Sequence, residues 1–231
     1  LIQFLVTDNP SPAFVQRVAA AFADNGSGVR GDLGAVVKAI LLDEEARDPR
    51  FSERDSSFGR LKEPVIRMMA MGRVLGMQTQ PNLRWWDWGD FYAEARQEPT
   101  YSPSVFNFYR PEYHAPGLPT QFQLDTPVFQ ITDSYSSIAF PNRIWRTLEE
   151  GFTFYDAYRQ PLRLGPWRDL AAADVARLVD RMNLLFCAGR MTLGTRTTIL
   201  NAVNQLSPEQ TAERVRVAAY LALVSPEGAV M

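Results

Sequence analysis

The chain has 231 residues, of which 46% are hydrophobic and 22% charged, and its formal net charge is −2. This length and composition fit a globular protein with a substantial core. The near-neutral charge gives no general attraction to nucleic acid or to an anionic membrane, and no run reaches the roughly 18 apolar residues of a membrane span. Cys187 is the sole cysteine, which excludes an internal disulfide and a multi-thiolate metal site and predicts a buried, inert thiol.

The first 48 residues predict two helices. Ser11 can cap the first helix, with Pro12 in its first turn, and Asn25-Gly26 ends it. Asp32 opens the second helix. The residues predicted to face inward on these two helices are Phe14, Val15, Val18, Phe22, Leu33, Val36, Val37, Ile40 and Leu41.

The middle of the chain mixes one helix with long irregular stretches. Residues 49–61 form a polar linker, and a methionine-rich helix follows at about 63–77, where the methionines serve as adaptable core filler. Residues 78–127 are dense in Pro, Trp and Tyr and too long for a plain connection. They are therefore predicted to be an aromatic insertion.

Helical order returns at Thr126-Pro127, and Pro141 is predicted to break or kink the helix that follows. Three further helices are predicted at about 168–187, 194–205 and 208–224, and strand patterns are weak throughout. The sequence therefore predicts a mainly α fold, an irregular helical bundle with long aromatic and proline-rich loops. Residues 1–231 are predicted to form a single helical domain, with the aromatic insertion at about 78–127.

The ring-rich segment Tyr101–Gly117 is the leading candidate for a site. It carries the chain's only histidine, His114, and one arginine, Arg110, which needs a carboxylate or several carbonyl partners if it is buried. One interpretation is that Asn107 and Arg110 hold the loop to helix ends while the rings join the core. The other is a pocket that binds a sugar or aromatic group and an anion. Its predicted ligand-binding residues are Asn107, Tyr109, Arg110, Tyr113 and His114.

A tryptophan cluster gives a second candidate surface. Trp85, Trp86 and Trp88 lie close together in the sequence and can form a stacking platform for sugars or bases. The more common role of such a cluster is to anchor an irregular segment onto helices.

Patterns for self-contained catalysis are missing from the sequence. A GxSxG nucleophile elbow and a phosphate-binding glycine loop are both absent, and one histidine cannot supply a catalytic zinc site. No cofactor and no metal site is predicted, no catalytic residue is assigned, and whether the chain is an enzyme stays open.

Several blocks of the sequence resemble the bacterial "domain of unknown function 1800" family. They are LVTDNPSPAFVQRVAAAFADNGSGVRGDL, AILLDEEARD, GRLKEPVIRM, SPSVFNFYRPEY, TPVFQIT and RVRVAAYLALVSPE. The resemblance runs from Leu1 to Glu227 and is to the C-terminal half of the family chain. It implies an exported, periplasmic or extracellular bacterial protein whose export signal lies upstream. It also implies, by analogy, a partner from the sulfatase-like "domain of unknown function 1501" family, and it carries no catalytic residues.

Two functional hypotheses follow. The first is a structural or protein-interaction module that acts with a secreted or envelope partner. The alternative is an envelope enzyme that acts on a carbohydrate or another polymer through carboxylates such as Asp87, Glu94 or Glu112. The enzyme requires two carboxyl groups that face one cleft, about 5–10 Å apart.

Overall fold

A computed structural model describes residues 1–54, 58–77, 91–154 and 158–231 of the protein. Helices dominate these ranges, and a two-stranded antiparallel sheet is the sheet found within them. The mainly α prediction is therefore confirmed. None of the helices in these ranges has both the length and the apolar character needed to cross a bilayer.

The regular elements are named in chain order. They are α1 (Ile2–Leu5), α2 (Pro12–Ala23), α3 (Leu33–Leu42), α4 (Glu44–Arg47), α5 (Pro49–Arg54), α6 (Pro64–Val74), α7 (Phe91–Ala95), α8 (Leu118–Gln121), α9 (Ser136–Glu150), β1 (Phe152–Phe154), β2 (Tyr158–Gln160), α10 (Gly165–Ala173), α11 (Val175–Phe186), α12 (Leu193–Asn204), α13 (Thr211–Val224) and α14 (Pro226–Ala229). A short 3-10 helix spans Pro127–Ile131.

The chain divides into two compact units, and each is built from two separate stretches of sequence. Unit 1 contains Leu1–Leu61 and Tyr109–Gln130, and unit 2 contains Lys62–Phe108 and Ile131–Met231. The chain therefore passes from unit 2 to unit 1 inside the ring-rich segment, between Phe108 and Tyr109. That the whole chain forms a single domain with an insertion at about 78–127 stays a prediction.

Unit 1 has a small apolar core between α2 and α3. Phe14, Val36 and Ile40 are buried there. Both helix starts follow the sequence prediction, because Ser11 accepts a hydrogen bond from the Phe14 N–H (3.1 Å) and Asp32 accepts one from the Ala35 N–H (3.1 Å).

Fewer apolar residues of α2 and α3 are buried than predicted. Val15, Phe22, Leu33 and Leu41 are exposed by 41–60% of their surface. Short helices of this size bury only the residues that face the partner helix, and the other apolar side chains remain on the surface. The predicted polar linker also begins with a helix, α5, because Asp48 accepts a hydrogen bond from the Arg50 N–H (2.9 Å).

Unit 2 is organised around α13. This helix packs against α9, α10, α11, α12 and α14. Its buried residues include Ala218, Ala219 and Ala222, whose small side chains let neighbouring helices approach closely. Met68, Met71 and Met182 lie in the same core, which confirms that the methionines of the 63–77 helix act as core filler.

Cys187 is buried in unit 2, as the sequence predicts. Burial raises the pKa of its thiol, while Ser225 and Lys62 lower it. The Sγ atom lies 3.7 Å from the Ala222 carbonyl oxygen and 3.9 Å from the Ser225 Oγ. A thiol with a raised pKa stays protonated at neutral pH and is a weak nucleophile.

One helix prediction in unit 2 is wrong, and of the break or kink predicted at Pro141 the break does not occur. The single helix expected at 168–187 is two helices, because Asp174 adopts an extended conformation between α10 and α11 and accepts a hydrogen bond from the Arg177 N–H (2.9 Å). Pro141 does not break α9, which continues from Ser136 to Glu150. Pro141 lies only five residues after the first residue of the helix, so the one backbone hydrogen bond that it removes is near the N-terminal end of the helix.

The β1–β2 hairpin begins directly after Gly151, which has a φ of +86°. A Cβ atom at this position would overlap the Gln160 carbonyl oxygen, so both the conformation and the space require glycine. Phe152 then enters the core, and the register pairs it with Gln160. Phe152 therefore both begins a short strand and joins the core.

Candidate functional site

The second stretch of unit 1 is joined to the first by a cluster of polar side chains. We call Gln3, Asp8, Asn9, His114 and Asp125 the polar network. The Asn9 amide makes two hydrogen bonds with the Asp125 backbone: its Oδ1 accepts from the N–H (2.8 Å) and its Nδ2 donates to the carbonyl (3.0 Å). Asn9 therefore supplies to Asp125 the pairing that a neighbouring β-strand would supply.

Gln3 bridges three parts of unit 1. Its Nε2 lies within hydrogen-bond distance of the Asp8 carbonyl (3.1 Å), the Pro111 carbonyl (3.2 Å) and the Asp125 Oδ2 (3.2 Å). One amide thus holds the turn after α1 against the residues that follow Tyr109.

His114 lies at the edge of the polar network. Its Nδ1 is 2.9 Å from the Leu124 carbonyl oxygen, and its Nε2 is 3.6 Å from the Asp125 Oδ1. A carbonyl only accepts, so Nδ1 carries the proton in this contact. The Nε2 atom then faces the carboxylate, and an ion pair forms when the ring is doubly protonated.

A cavity of about 10 Å³ borders the polar network. Its walls include Asp8, Arg60, Tyr109 and Val128. Space of this size holds about one water molecule. A sugar ring is far larger, so the cavity as it stands has no room for such a ligand.

The Asp8 carboxyl at the cavity wall has a perturbed acidity. Burial raises its pKa to about 7, with the Arg60 guanidinium opposing the shift and the Asp125 carboxylate adding to it. Arg60 is itself buried, donates to the Phe4 carbonyl and lies 5.8 Å from the centroid of the Phe4 ring. Asp8 can therefore exchange a proton near neutral pH.

A different surface is formed by Tyr101–Phe108 in unit 2, which we call the apolar loop. Val105 is 95% exposed, Tyr101 71% and Phe106 67%. The turn at the centre of the loop is held by Ser104, whose Oγ accepts from the Phe106 N–H (3.1 Å) and whose carbonyl accepts from the Asn107 N–H (3.2 Å). Three large apolar side chains thus project from a hydrogen-bonded turn.

Buried polar side chains anchor the chain just before the apolar loop. Glu94 accepts from Arg143 (3.1 Å) and from Arg146 (3.0 Å) of α9, and its side chain is only 9% exposed. Gln97 is buried and accepts a hydrogen bond from the Val65 N–H (3.1 Å). The base of the apolar loop is therefore fixed to α6 and α9.

Within the described residues, no group of three or more His, Cys, Asp or Glu side chains is arranged to hold a metal ion. The model of a family described as "Protein of unknown function (DUF1800)" matches residues 1–230. The chain belongs to this family. No curated protein and no solved structure shows a significant match to it.

The structure places the predicted site residues of this DUF1800 chain in different surroundings. Tyr109 is buried in the cavity wall, and His114 belongs to the polar network. Tyr113 is half-buried, and its carbonyl accepts from the Thr126 N–H (2.7 Å). Asn107 belongs to the apolar loop of unit 2 and has a φ of +70°.

Arg110 is exposed, and its backbone N–H donates to the Gln130 Oε1 (2.7 Å). The buried arginine beside the rings of unit 1 is Arg60, which comes from a distant part of the sequence. Trp85, Trp86 and Trp88 lie outside the described residues. That these eight residues bind a ligand stays a prediction.

Sequence reasoning missed most of the polar network. Asp8 and Asn9 precede Pro10, a pattern typical of a turn, but their partner Asp125 lies 116 residues after Asn9. A pairing at such a distance leaves no periodic pattern in one sequence. The available signal was the joint presence of the NPSP and FYRPEY blocks, which the fold brings together in unit 1.

The carboxylates named for the enzyme hypothesis do not all belong to one described unit. Glu94 uses its two oxygens in ion pairs with Arg143 and Arg146. Glu112 is exposed in unit 1, and Asp87 lies outside the described residues. The described geometry of Glu94 is that of a structural anchor.

Proposed function

We propose that this DUF1800 chain is an exported bacterial protein that works as a structural and protein-interaction module, with the apolar loop as its contact for a secreted or envelope partner. The observation that carries the proposal is the exposure of Val105, Phe106 and Tyr101 on a turn with a fixed base. A cluster of large apolar side chains in water is costly, and such clusters mark interaction surfaces.

The apolar loop has the chemistry of a protein contact. Aromatic side chains are enriched at the buried centres of protein interfaces. The loop also carries no charged residue between Tyr101 and Phe108, so burying it against a partner would desolvate no unpaired charge. The partner we propose is a sulfatase-like protein of the "domain of unknown function 1501" family, and the proposed location is the periplasm or the cell exterior.

Site-specific crosslinking tests the proposal. A photo-reactive amino acid is placed at Val105 in the full-length protein in its native host. A matched chain carries it at Leu193, which is also apolar and is 78% exposed at the start of α12. We expect an adduct with the sulfatase-like partner from the Val105 position and none from the Leu193 position. Equal labelling at the two positions would overturn the proposal.

A triple variant separates recognition from folding. Tyr101→Ser, Val105→Ser and Phe106→Ser together remove the apolar side chains but leave the Ser104 turn in place. Because these side chains are exposed, we expect the free energy of unfolding to change by only about 0.5 kcal/mol per position, while the partner no longer co-purifies. Co-purification that persists in the triple variant would contradict the role of the loop. Fractionation of the host cells tests export separately.

The enzyme hypothesis stays a prediction. Its decisive feature, two carboxyl groups facing one cleft, finds no support in the described position of Glu94, whose oxygens are engaged by arginines.

A further inference from the structure

A groove of about 730 Å³ lies between α10 and α11 in unit 2. Trp167 and Leu170 of α10 form one wall, and Leu184 of α11 adds an apolar side chain that is 56% exposed. The volume is in the range of sites that hold small ligands or short peptide segments. The groove is open to solvent, which suits an extended segment.

The polar wall of the groove comes from one face of α11. Arg177, Arg181 and Leu184 follow the spacing i, i+4 and i+7, which places them along one side of a helix. The opposite side of α11 is buried in the core through Leu178, Val179 and Met182. The two arginines therefore face outward on a helix whose position is fixed by its packing.

The charges in the groove are unbalanced. In the part of the chain that the structure describes, the guanidinium groups of Arg177 and Arg181 form no ion pair. Asp180 lies at the same wall, but its carboxylate is held by Arg196 through contacts of 2.6 and 3.0 Å. Asp174 caps the start of α11 through the Arg177 backbone N–H. The groove thus carries two available positive charges in a chain with a net charge of −2.

We propose that this groove binds an acidic segment of a partner protein, with one carboxylate at each of Arg177 and Arg181 and an apolar side chain against Trp167 and Leu170. A guanidinium group matches the two oxygens of a carboxylate, which makes such pairs both strong and directional. Side chains at i and i+4 are about 5–6 Å apart at their Cβ atoms, and residues two apart in an extended segment are about 6.6 Å apart, so carboxylates at such positions reach both arginines. The groove does not involve the apolar loop, and the proposal stands independently of it.

A displayed library of random peptides, selected on the purified full-length chain, identifies what the groove prefers. We expect the selected peptides to be enriched in Asp and Glu and to carry at least one large apolar residue. Their affinity should fall at least about tenfold for the variant Arg177→Ser/Arg181→Ser, because a loss of two charge-assisted pairs corresponds to that change or more. Higher salt should weaken binding to the unaltered chain.

A charge-matched control distinguishes the groove from general electrostatics. The variant Lys38→Ser/Arg47→Ser also removes two positive charges, from exposed positions in unit 1, and should bind the peptides as the unaltered chain does. A further variant, Leu170→Ala, should lower the affinity of the chain for the same peptides without altering how that affinity depends on salt.

Any of five results would overturn the proposal. Selection could yield no peptide or no acidic enrichment, or the peptides could bind the Arg177/Arg181 double variant with unchanged affinity. Sedimentation could show a dimer of the chain that dissociates in that variant, which would make a second copy the occupant. The chain could also bind no peptide but co-sediment with phosphatidylglycerol vesicles in a way that depends on the two arginines. In that case the groove would bind a lipid surface.

Discussion

Unit 1 and unit 2 hold their chain segments together by different means. Unit 1 has three buried apolar side chains between α2 and α3, and the residues after Tyr109 are attached through the amides of Gln3 and Asn9. Unit 2 has a large apolar core around α13, and its buried Glu94 carboxylate is paired with Arg143. Polar attachment depends on protonation and on the geometry of single hydrogen bonds, whereas apolar packing is spread over many contacts.

This contrast also separates the two kinds of surface in the molecule. The polar network borders a cavity with space for about one water molecule, and its Asp8 carboxyl has a pKa of about 7. Unit 2 presents the apolar loop and the α10–α11 groove, both larger and both open. The two surfaces proposed above to bind partners thus belong to the unit with the larger core, and a rigid base limits the entropy lost on binding.

The largest expected effect tests whether unit 2 depends on the buried Glu94 carboxylate, which has two arginine partners. Glu94→Gln should lower the free energy of unfolding by about 3–5 kcal/mol, because the buried Arg143 guanidinium keeps its charge and loses its carboxylate. Urea denaturation measures the change. Glu149→Gln, at an exposed position on the same helix as Arg143, should change stability by no more than about 0.5 kcal/mol. Similar values for both variants would show that unit 2 rests on apolar packing alone.

The next prediction concerns the pH dependence of unit 1. The folded-state pKa of Asp8 is raised to about 7, so between pH 4 and 7 the unfolded chain releases this proton while the folded chain retains it. Ionisation of Asp8 therefore lowers the free energy of unfolding as the pH rises through this range. Above the range the loss stays constant. Asp8→Asn removes the cost, so its stability relative to the unaltered chain should increase by about 1 kcal/mol per pH unit across the range.

Urea unfolding at a series of pH values measures this difference. Asp169→Asn, at an exposed position on α10, serves as the control and should track the unaltered chain. If the free energy of unfolding depends on pH in the same way in Asp8→Asn and in the unaltered chain, the Asp8 carboxyl is better solvated than its buried position indicates.

The smallest of these effects tests the attachment between the two stretches of unit 1. Asn9→Ala leaves the Asp125 N–H and carbonyl without the Asn9 amide, which should cost about 1–3 kcal/mol. Hydrogen exchange should also become faster at the Asp125 amide. The exposed Asn201→Ala on α12 should leave both stability and that amide unchanged. Unchanged protection of the Asp125 amide in Asn9→Ala would show that other contacts hold the second stretch.

Local signals in the sequence were sufficient for the helix starts and for the fold class. Ser11 and Asp32 cap the helices they were expected to cap, because a cap depends only on residues two or three positions away. The division at Asp174 was missed because the apolar spacing continues from α10 into α11 with little change of phase. Only the extended backbone of Asp174 separates the two helices.

The candidate site was harder to predict because its partners are distant in sequence. Arg110 would have needed a carboxylate or several carbonyl partners if it were buried, but it is exposed, and Arg60 is a buried arginine beside Phe4. Hydrogen bonds such as those between Asn9 and Asp125 connect residues 116 positions apart. The sequence offers no period or spacing from which such a pair can be read.

The alternation of the two units along the sequence has a consequence for how the protein is made. During synthesis, the first stretch of unit 1, Leu1–Leu61, leaves the ribosome before the second stretch, Tyr109–Gln130. The first stretch of unit 2 emerges between them. Asp125 is therefore synthesised 116 residues after its partner Asn9, in a chain of 231 residues. A single proteolytic cut between Leu61 and Lys62 would therefore separate the two stretches of unit 1, whereas the fragment that begins at Lys62 would keep both stretches of unit 2.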